Sequence, residues 1–404
     1  MNPDARRPIS LPRARPCLHP HVRLPVETDK PLSITPLHGL HVELGAKMVG
    51  FAGYDMPVQY PLGVLKEHLH TRASAGLFDV SHMGQILLRP KSGEIADAAL
   101  ALEKITPVDV LGLKDGRQRY GLFTNEDGGL YDDFMVANRG DHLYVVVNAA
   151  CKEQDLGLIR AACSDACEIE APFDRGLIAL QGPEGENVLG ALAAEVADMK
   201  FMDVREVDLG GIPAIVSRSG YTGEDGYEIS VAEGDAEALA RRLLSDKRVE
   251  AIGLGARDSL RLEAGLCLYG HDIDMTTTPV EAALKWAIQK VRRTSGERAG
   301  GFPGADVILP QFENGADRVR VGLAPEGRAP VREGADLFAD ETATEPFGTV
   351  TSGGFGPSYG GPVSMGYVPS AQGEPGTIVY AEVRGKRLPL RVAALPFVQN
   401  TYKR

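Results

Sequence analysis

The stretch NEDGGLYDDFMVANRGDHLYVVVN, residues 125–148, decides how the larger, N-terminal part of the chain is read. Asn125, Glu126, Asp127, Gly128 and Gly129 form a turn signal, because Asn, Asp and Gly tolerate the left-handed and side-chain-bonded conformations that reverse a chain. Residues 130–137 then have the length of a strand, residues 138–141 turn the chain back, and residues 142–148 return it. The Leu-Tyr-Val-Val-Val run in that return suits a pleated surface. Successive side chains on a strand point to opposite faces, so Asp132 and Asp133 share a pocket only if a bulge intervenes. With an even-numbered hairpin loop Asp133 lies opposite Val146, and Tyr131, Asp133, Tyr144 and Asn148 share a face; an odd-numbered loop breaks that arrangement. On pattern alone, both aspartates read equally well as solvated strand residues.

Around this hairpin, short strands alternate with helices from about Pro36 onward, without a repeat period, which predicts α+β architecture. Tyr227, Ile229 and Val231 form the apolar face of a further strand, leaving Glu228 and Ser230 on the other. Residues 255–268 read as a helix with Arg257 and Arg261 one turn apart and Gly270 placed to end it. Gly253 and Gly255 superficially suggest a nucleotide loop, but a third glycine is missing and no parallel strand is expected before it, which argues against a dinucleotide fold. The Gly-, Ser-, Arg- and Pro-rich stretch 294–304 reads as a linker. Beyond it, residues 319–323, 348–351, 364–368, 378–383 and 388–392 are β-rich runs that predict a small C-terminal barrel or sandwich.

The 404 residues carry a formal net charge of −12, which argues against a broad nucleic-acid footprint. No apolar stretch approaches the roughly 18 residues needed to span a bilayer, so no membrane span is expected. The five cysteines, Cys17, Cys151, Cys163, Cys167 and Cys267, lack zinc-ligand spacing and read as reduced thiols. His68 and His70 would leave a helix on different faces, so no metal is expected there either. Residues 1–31 are Pro- and Arg-rich and are expected to be a flexible extension. Arg6, Arg7, Arg13 and Arg15 suit a mitochondrial transit peptide, whereas the prolines oppose its amphipathic helix; a bacterial cytoplasm is expected, with the mitochondrial matrix as the alternative.

Several strings together resemble the aminomethyltransferase, or T-protein, family of the glycine cleavage system, in the family's order. They are LGAKMVGFAGYDMPVQY (44–60), LFDVSHMG (77–84), GGLYDDF (128–134), YVVVNAA (144–150), SRSGYTGEDGYEIS (217–230), GLGARDSLRLEAGLCLYG (253–270), TSGGFGPSYGG (351–361) and GYVP (366–369). The resemblance implies a three-domain clover leaf around a central channel: two interleaved α+β domains within residues 32–295 and a C-terminal β barrel within residues 305–404. It also implies transfer of the methylene carbon from an aminomethyl group on lipoylated H-protein to tetrahydrofolate, with release of ammonia. Carried over by position, Asp133 is the catalytic carboxylate, Glu228 pairs with the pterin, and Arg257 binds substrate. Asn148, Tyr120, Met83 and Tyr221 line the folate channel, and Tyr402 falls near a substrate-contacting tyrosine. Tyr54 stands where the family often has Trp, and Tyr131 where it commonly has an aliphatic residue.

Three other readings compete. The folate domains of sarcosine and dimethylglycine dehydrogenases work beside a flavin domain, which this chain lacks. A folate-binding accessory protein of iron–sulfur maintenance carries a reactive-cysteine motif, of which only the nearby Cys267 is present. A plain interaction module would not need the carboxylate set. Lys285, Lys290, Arg292 and Arg293 form a candidate docking patch for an acidic H-protein, with solvated helix charge as the alternative.

Overall fold

The computed structural model describes residues 31–404, so the extension expected over residues 1–31 lies, but for Pro31, outside the described residues. The chain begins with helix α1 (His38–Glu43), the hairpin β1 (Lys47–Phe51) and β2 (Tyr54–Gln59), helix α2 (Val64–Ala73) and strand β3 (Ala75–Asp79). Next come β4 (Gly84–Pro90), α3 (Ile95–Leu102), β5 (Arg117–Thr124), β6 (Leu130–Asn138), β7 (Leu143–Val147), α4 (Lys152–Cys163) and β8 (Cys167–Glu170). The chain then returns through β9 (Gly176–Gln181), α5 (Gly185–Gly190), β10 (Val204–Asp208), β11 (Pro213–Ser217), β12 (Gly226–Val231), α6 (Glu233–Leu244), β13 (Val249–Ala251) and α7 (Leu254–Glu263).

Two sheets result, and they are interleaved along the chain. A five-stranded sheet runs β5-β6-β7-β4-β8, and a six-stranded sheet runs β10-β11-β12-β9-β3-β13, so the chain leaves the second sheet after β3 and re-enters it at β9. The cause is visible in the side chains. Every residue of β3 and β9 is buried, as expected for strands covered on both faces. On α6, Ala236, Leu239, Ala240 and Leu243 recur at helical spacing and are buried in the core with Ile178, Leu180 and Ile229, while Glu233 and Asp235 open the helix and Arg241 and Arg242 close it, matching its dipole.

Helix α8 (Ala305–Asn314) leads into β14 (Arg318–Pro325), β15 (Asp336–Phe338), β16 (Gly348–Gly356), β17 (Gly361–Pro369), β18 (Ile378–Val383) and β19 (Lys386–Ala393). These close into a barrel of order β14-β17-β16-β15-β18-β19, sealed by pairing of β14 with β19 around a core of Leu323, Val350, Val379 and Leu390. The chain is therefore α+β with a closed C-terminal barrel. The five runs expected there are strands; β15, only Asp-Leu-Phe, was too short to show a period.

Three local expectations need correction. The hairpin loop is Gly140–Asp141, with Arg139 N–H donating to the His142 carbonyl at 2.9 Å, and Phe134 pairs with Val147; that register sets Asp133 across from Asn148, not Val146. The faces survive because the slip is two residues. Helix α7 ends at Glu263, and Gly265, at φ +68°, takes the left-handed position assigned to Gly270. A parallel strand does precede the glycines at 253 and 255: β13 pairs in parallel with β3. The third glycine is still absent, and a Cβ at Gly253 would lie 2.5 Å from the Val58 backbone, so close chain approach accounts for that glycine.

Candidate functional site

A crevice lies between the two sheets, with Met135, Tyr144 and Val146 on the five-stranded side and Leu177, Ser217 and Glu228 on the other. Asp133 is two residues before Met135 on β6 and so faces the same way. Its position is set by the turn at 125–129. There the Asn125 side-chain oxygen accepts from the N–H groups of Asp127 and Gly129 at 3.0 and 2.9 Å, and its amide donates to the Met275 carbonyl at 2.9 Å. Gly128 has φ +83°, and a Cβ on Gly129 would sit 1.8 Å from the Met275 carbonyl oxygen, so the segment demands both glycines.

After this turn the strand carries a bulge: Phe123 pairs with Asp132 but Thr124 pairs with Leu130, leaving Tyr131 without a partner across the ladder. Tyr131 packs against the core cluster that contains Phe134 and Val136, on the sheet face opposite Asp133. The expectation that Tyr131 shares the Asp133 face is corrected by this bulge.

Asp133 is half-buried, and its carboxyl is hydrogen-bonded by the Tyr120 hydroxyl of β5 and by Asn148, whose amide nitrogen donates at 2.8 Å. Burial raises its pKa and the Asp132 carboxylate raises it further, against the opposing pull of those two donors. Asp132 is fully buried, accepts the Asn148 backbone N–H at 3.0 Å and its side-chain amide at 2.9 Å, and is likewise raised by burial.

The opposite wall is built by β12 and α7. Glu228 accepts from Ser219 Oγ at 2.9 Å, and Arg257 lies over the Tyr221 ring, 4.8 Å from its centroid. Burial lowers the Arg257 pKa, while Glu228 and Tyr221 favour its charge. The Tyr221 hydroxyl donates to the Cys267 carbonyl. Met83 packs against the cluster that contains Phe78, Val80 and Leu177, as does Val146 of the crevice wall. Electrostatic coupling of Asp133 to Tyr120, Tyr221 and Cys267 places these groups around it.

Tyr402 belongs to a different set. It stacks on Phe201 with ring centroids 4.1 Å apart, near Arg72 and Glu224, where neighbouring residues of the C-terminal tail bond Gly223 and Asp225. Reading by residue type missed Trp286, the only tryptophan. It is 58% exposed, and its ring lies 5.2 Å from that of Tyr120. A lone indole flanked by Lys285 and Lys290 in the run LKWAIQK was the available signal.

Three further residues singled out in the sequence find their places in the structure. Arg292 is buried, donating to Glu103 and to the Arg298 and Thr106 carbonyls, so it is a strut and not part of a docking patch. Tyr54 accepts a hydrogen bond from Lys152, a partner no indole could satisfy as an acceptor. Cys267 is buried, and burial pushes its thiol up to about 12, which makes it unreactive.

Comparison with known proteins agrees with this architecture. The GCVT N-terminal domain matches residues 37–292, and the glycine cleavage T-protein C-terminal barrel domain matches residues 318–399. The mitochondrial aminomethyltransferase of Dictyostelium discoideum is 44% identical over 390 residues, covering 92% of this chain and 94% of its own length. That of Gallus gallus is 45% identical over 381 residues, with the same two shares. The crystal structure of glycine cleavage system aminomethyltransferase T from Bartonella henselae superposes with a TM-score of 0.86 at 46% identity, over 93% of this chain and all of that one. The mitochondrial location of the curated relatives overturns the expected bacterial cytoplasm; the proline count was given too much weight against Arg6, Arg7, Arg13 and Arg15, which lie outside the described residues. With both family models and near-full-length relatives in register, the chain belongs to the aminomethyltransferase (T-protein) family of the glycine cleavage system.

Proposed function

We propose that this chain transfers the methylene carbon of an aminomethyl group, carried on the lipoyl arm of an H-protein, to tetrahydrofolate. The carbon exchanges its bonds to sulfur and to the amino nitrogen for bonds to the two folate nitrogens, N5 and N10. Their two protons end on the sulfur and on ammonia, so the products are 5,10-methylenetetrahydrofolate, ammonia and the dihydrolipoyl partner. The observation that carries this reading is Asp133: a raised carboxyl, gripped by Tyr120 and Asn148, on the face of β6 that turns Met135 into a crevice whose other wall presents Glu228, with Arg257 near Glu228.

A carboxyl raised toward neutrality can take and return a proton where an ordinary aspartate stays ionised. Asp133 therefore receives the proton from the attacking folate nitrogen and passes it toward the departing ammonia. Glu228 pairs with the ring N–H and amino donors of the pterin, a planar geometry that a carboxylate meets with both oxygens. Arg257 holds the substrate over Tyr221, and Tyr120, Asn148 and Met83 line the ring's path. Alignment of nitrogen and carbon in this crevice supplies about 7 to 11 kcal/mol of barrier reduction. Tyr402, stacked on Phe201 in the C-terminal tail, is taken as a further substrate-contacting residue. We take residues 32–295 as the interleaved folate-holding part and 305–404 as the barrel part, and the mitochondrial matrix as the compartment.

The test is a coupled assay with aminomethylated H-protein and tetrahydrofolate. Ammonia release that depends on both is expected. Folate binding with no release sinks the transferase reading and favours the accessory-protein reading, against which the buried Cys267 thiol already counts.

A further inference from the structure

One amide holds two carboxylates in this site. The Asn148 side-chain nitrogen has two hydrogens and lies 2.9 Å from Asp132 Oδ1, 2.8 Å from Asp133 Oδ1 and 3.1 Å from the Asp133 carbonyl oxygen. Asp132 Oδ2 also accepts the Asn148 backbone N–H at 3.0 Å, so Asp132 grips Asn148 at two points. Behind Asp132, on α4, is Asp155; both side chains are fully buried, and the Asp155 carboxyl is close enough to that of Asp132 for a hydrogen bond between them. Two carboxyl groups form such a bond only when one of them carries a proton.

We propose that Asp132 and Asp155 share a single proton, and that this pair acts as a positioning device which orients Asn148 and sets the protonation of Asp133. The proposal rests on the reading of Asp133 as the proton-transferring carboxylate. Burial of two ionised carboxylates side by side is prohibitively costly, and a shared proton removes one charge while keeping a directed hydrogen bond. Asn148 is thereby held with its amino group toward both aspartates, because its carbonyl oxygen would meet carboxylate oxygen in the flipped orientation. The remaining negative charge on Asp132 lies against Asp133 and favours the protonated form there. The other titratable groups that face Asp133 are Tyr120 from β5, Tyr221 from the turn before β12 and Cys267 from the segment after α7, with Arg257 and Glu228 beyond Tyr221.

The experiment is the pH profile of kcat/KM with aminomethylated H-protein and tetrahydrofolate, for wild type and for Asp132→Asn, Asp155→Asn and Asp155→Leu. Asp132→Asn removes the negative neighbour, so the acid limb moves to lower pH. Asp155→Asn keeps a donor toward Asp132, so the limb stays in place. Asp155→Leu removes that donor; Asp132 then takes up the proton itself, and the limb moves in the same direction as in Asp132→Asn. A merely structural role would lower the plateau and leave the limb where it is, and that result overturns the proposal. An infrared difference spectrum above neutral pH reads the shared proton without catalysis: the protonated-carboxyl band of wild type is lost in Asp155→Asn. Persistence of that band overturns the proposal even where Asp132→Asn does not fold. Asp133→Asn is the control, since survival of the acid limb in that variant would bring down the reading of Asp133 itself.

Discussion

Asp132 and Asp133 carry the same chemical group one residue apart, and the protein gives them opposite surroundings. Asp133 faces the crevice with Tyr120 and Asn148; Asp132 is fully buried toward α4. Asp133→Asn keeps the shape and removes the proton acceptor, so kcat for ammonia release should fall by about 10²-fold or more. Asp132→Asn should cost far less on the plateau, and equal losses would show that the two side chains do not divide the work in this way. Strand alternation in the sequence was enough to separate the two aspartates. It could not reveal that Asp132 is dry, because burial of a carboxylate depends on Asn148 and Asp155, which approach from other elements. The bulge at Tyr131 was equally hidden, since an extra residue leaves no mark in a period-two pattern.

At the scale of the element, the turn at 125–129 sets the start of β6 and hence the position of its carboxylates. Asn125 supplies three hydrogen bonds there, two within the turn and one to Met275. Asn125→Ala leaves two turn N–H groups and the Met275 carbonyl without this partner, and should destabilise the protein by about 1 to 3 kcal/mol in chemical denaturation. An unchanged midpoint would show that the turn is held by its glycines alone. The turn was plain from Asn, Asp and Gly, as was the hairpin after it. The hairpin register was not, because Arg139 and His142 pair across Gly140 and Asp141 through backbone groups that every residue carries. Helix α7 shows the same limit. Its periodicity runs on past Glu263, and only the left-handed Gly265 marks the stop.

Across the whole molecule, the barrel is tied to the interleaved sheets through Glu263, a carboxylate at the end of α7 with no exposure. Its oxygens accept from the Ser358 and Tyr359 N–H groups of the β16–β17 turn at 2.8 and 3.0 Å, and pair with His68 at 3.1 Å and Arg72 at 3.0 Å. Burial alone would raise its pKa, but His68, the Tyr359 N–H and Arg72 hold it down to about 2. A depressed carboxyl stabilises the fold above its unfolded pKa, near 4.5, and loses that contribution as pH falls toward about 2. Glu263→Gln should therefore lower Tm near neutral pH by an amount that shrinks as the pH is brought down through this window. Removing one partner of such a buried pair costs about 3 to 5 kcal/mol. A Tm difference that did not vary with pH would refute the clamp. The β-rich C-terminal runs were legible in the sequence but this tie was not, because Glu263, His68 and Ser358 are far apart along the chain and meet only when the barrel docks.

Trp286 has a practical consequence. It is the only indole in the chain, half open to water, and its ring lies against Tyr120, whose hydroxyl bonds Asp133. Selective excitation of tryptophan therefore interrogates one position, a single residue removed from the proposed proton carrier. Its emission should change in intensity or colour when a pterin enters the crevice, and Trp286→Phe should abolish that signal because the sequence holds no other tryptophan. The chain thus carries its own optical probe of folate occupancy, usable in stopped-flow without labelling.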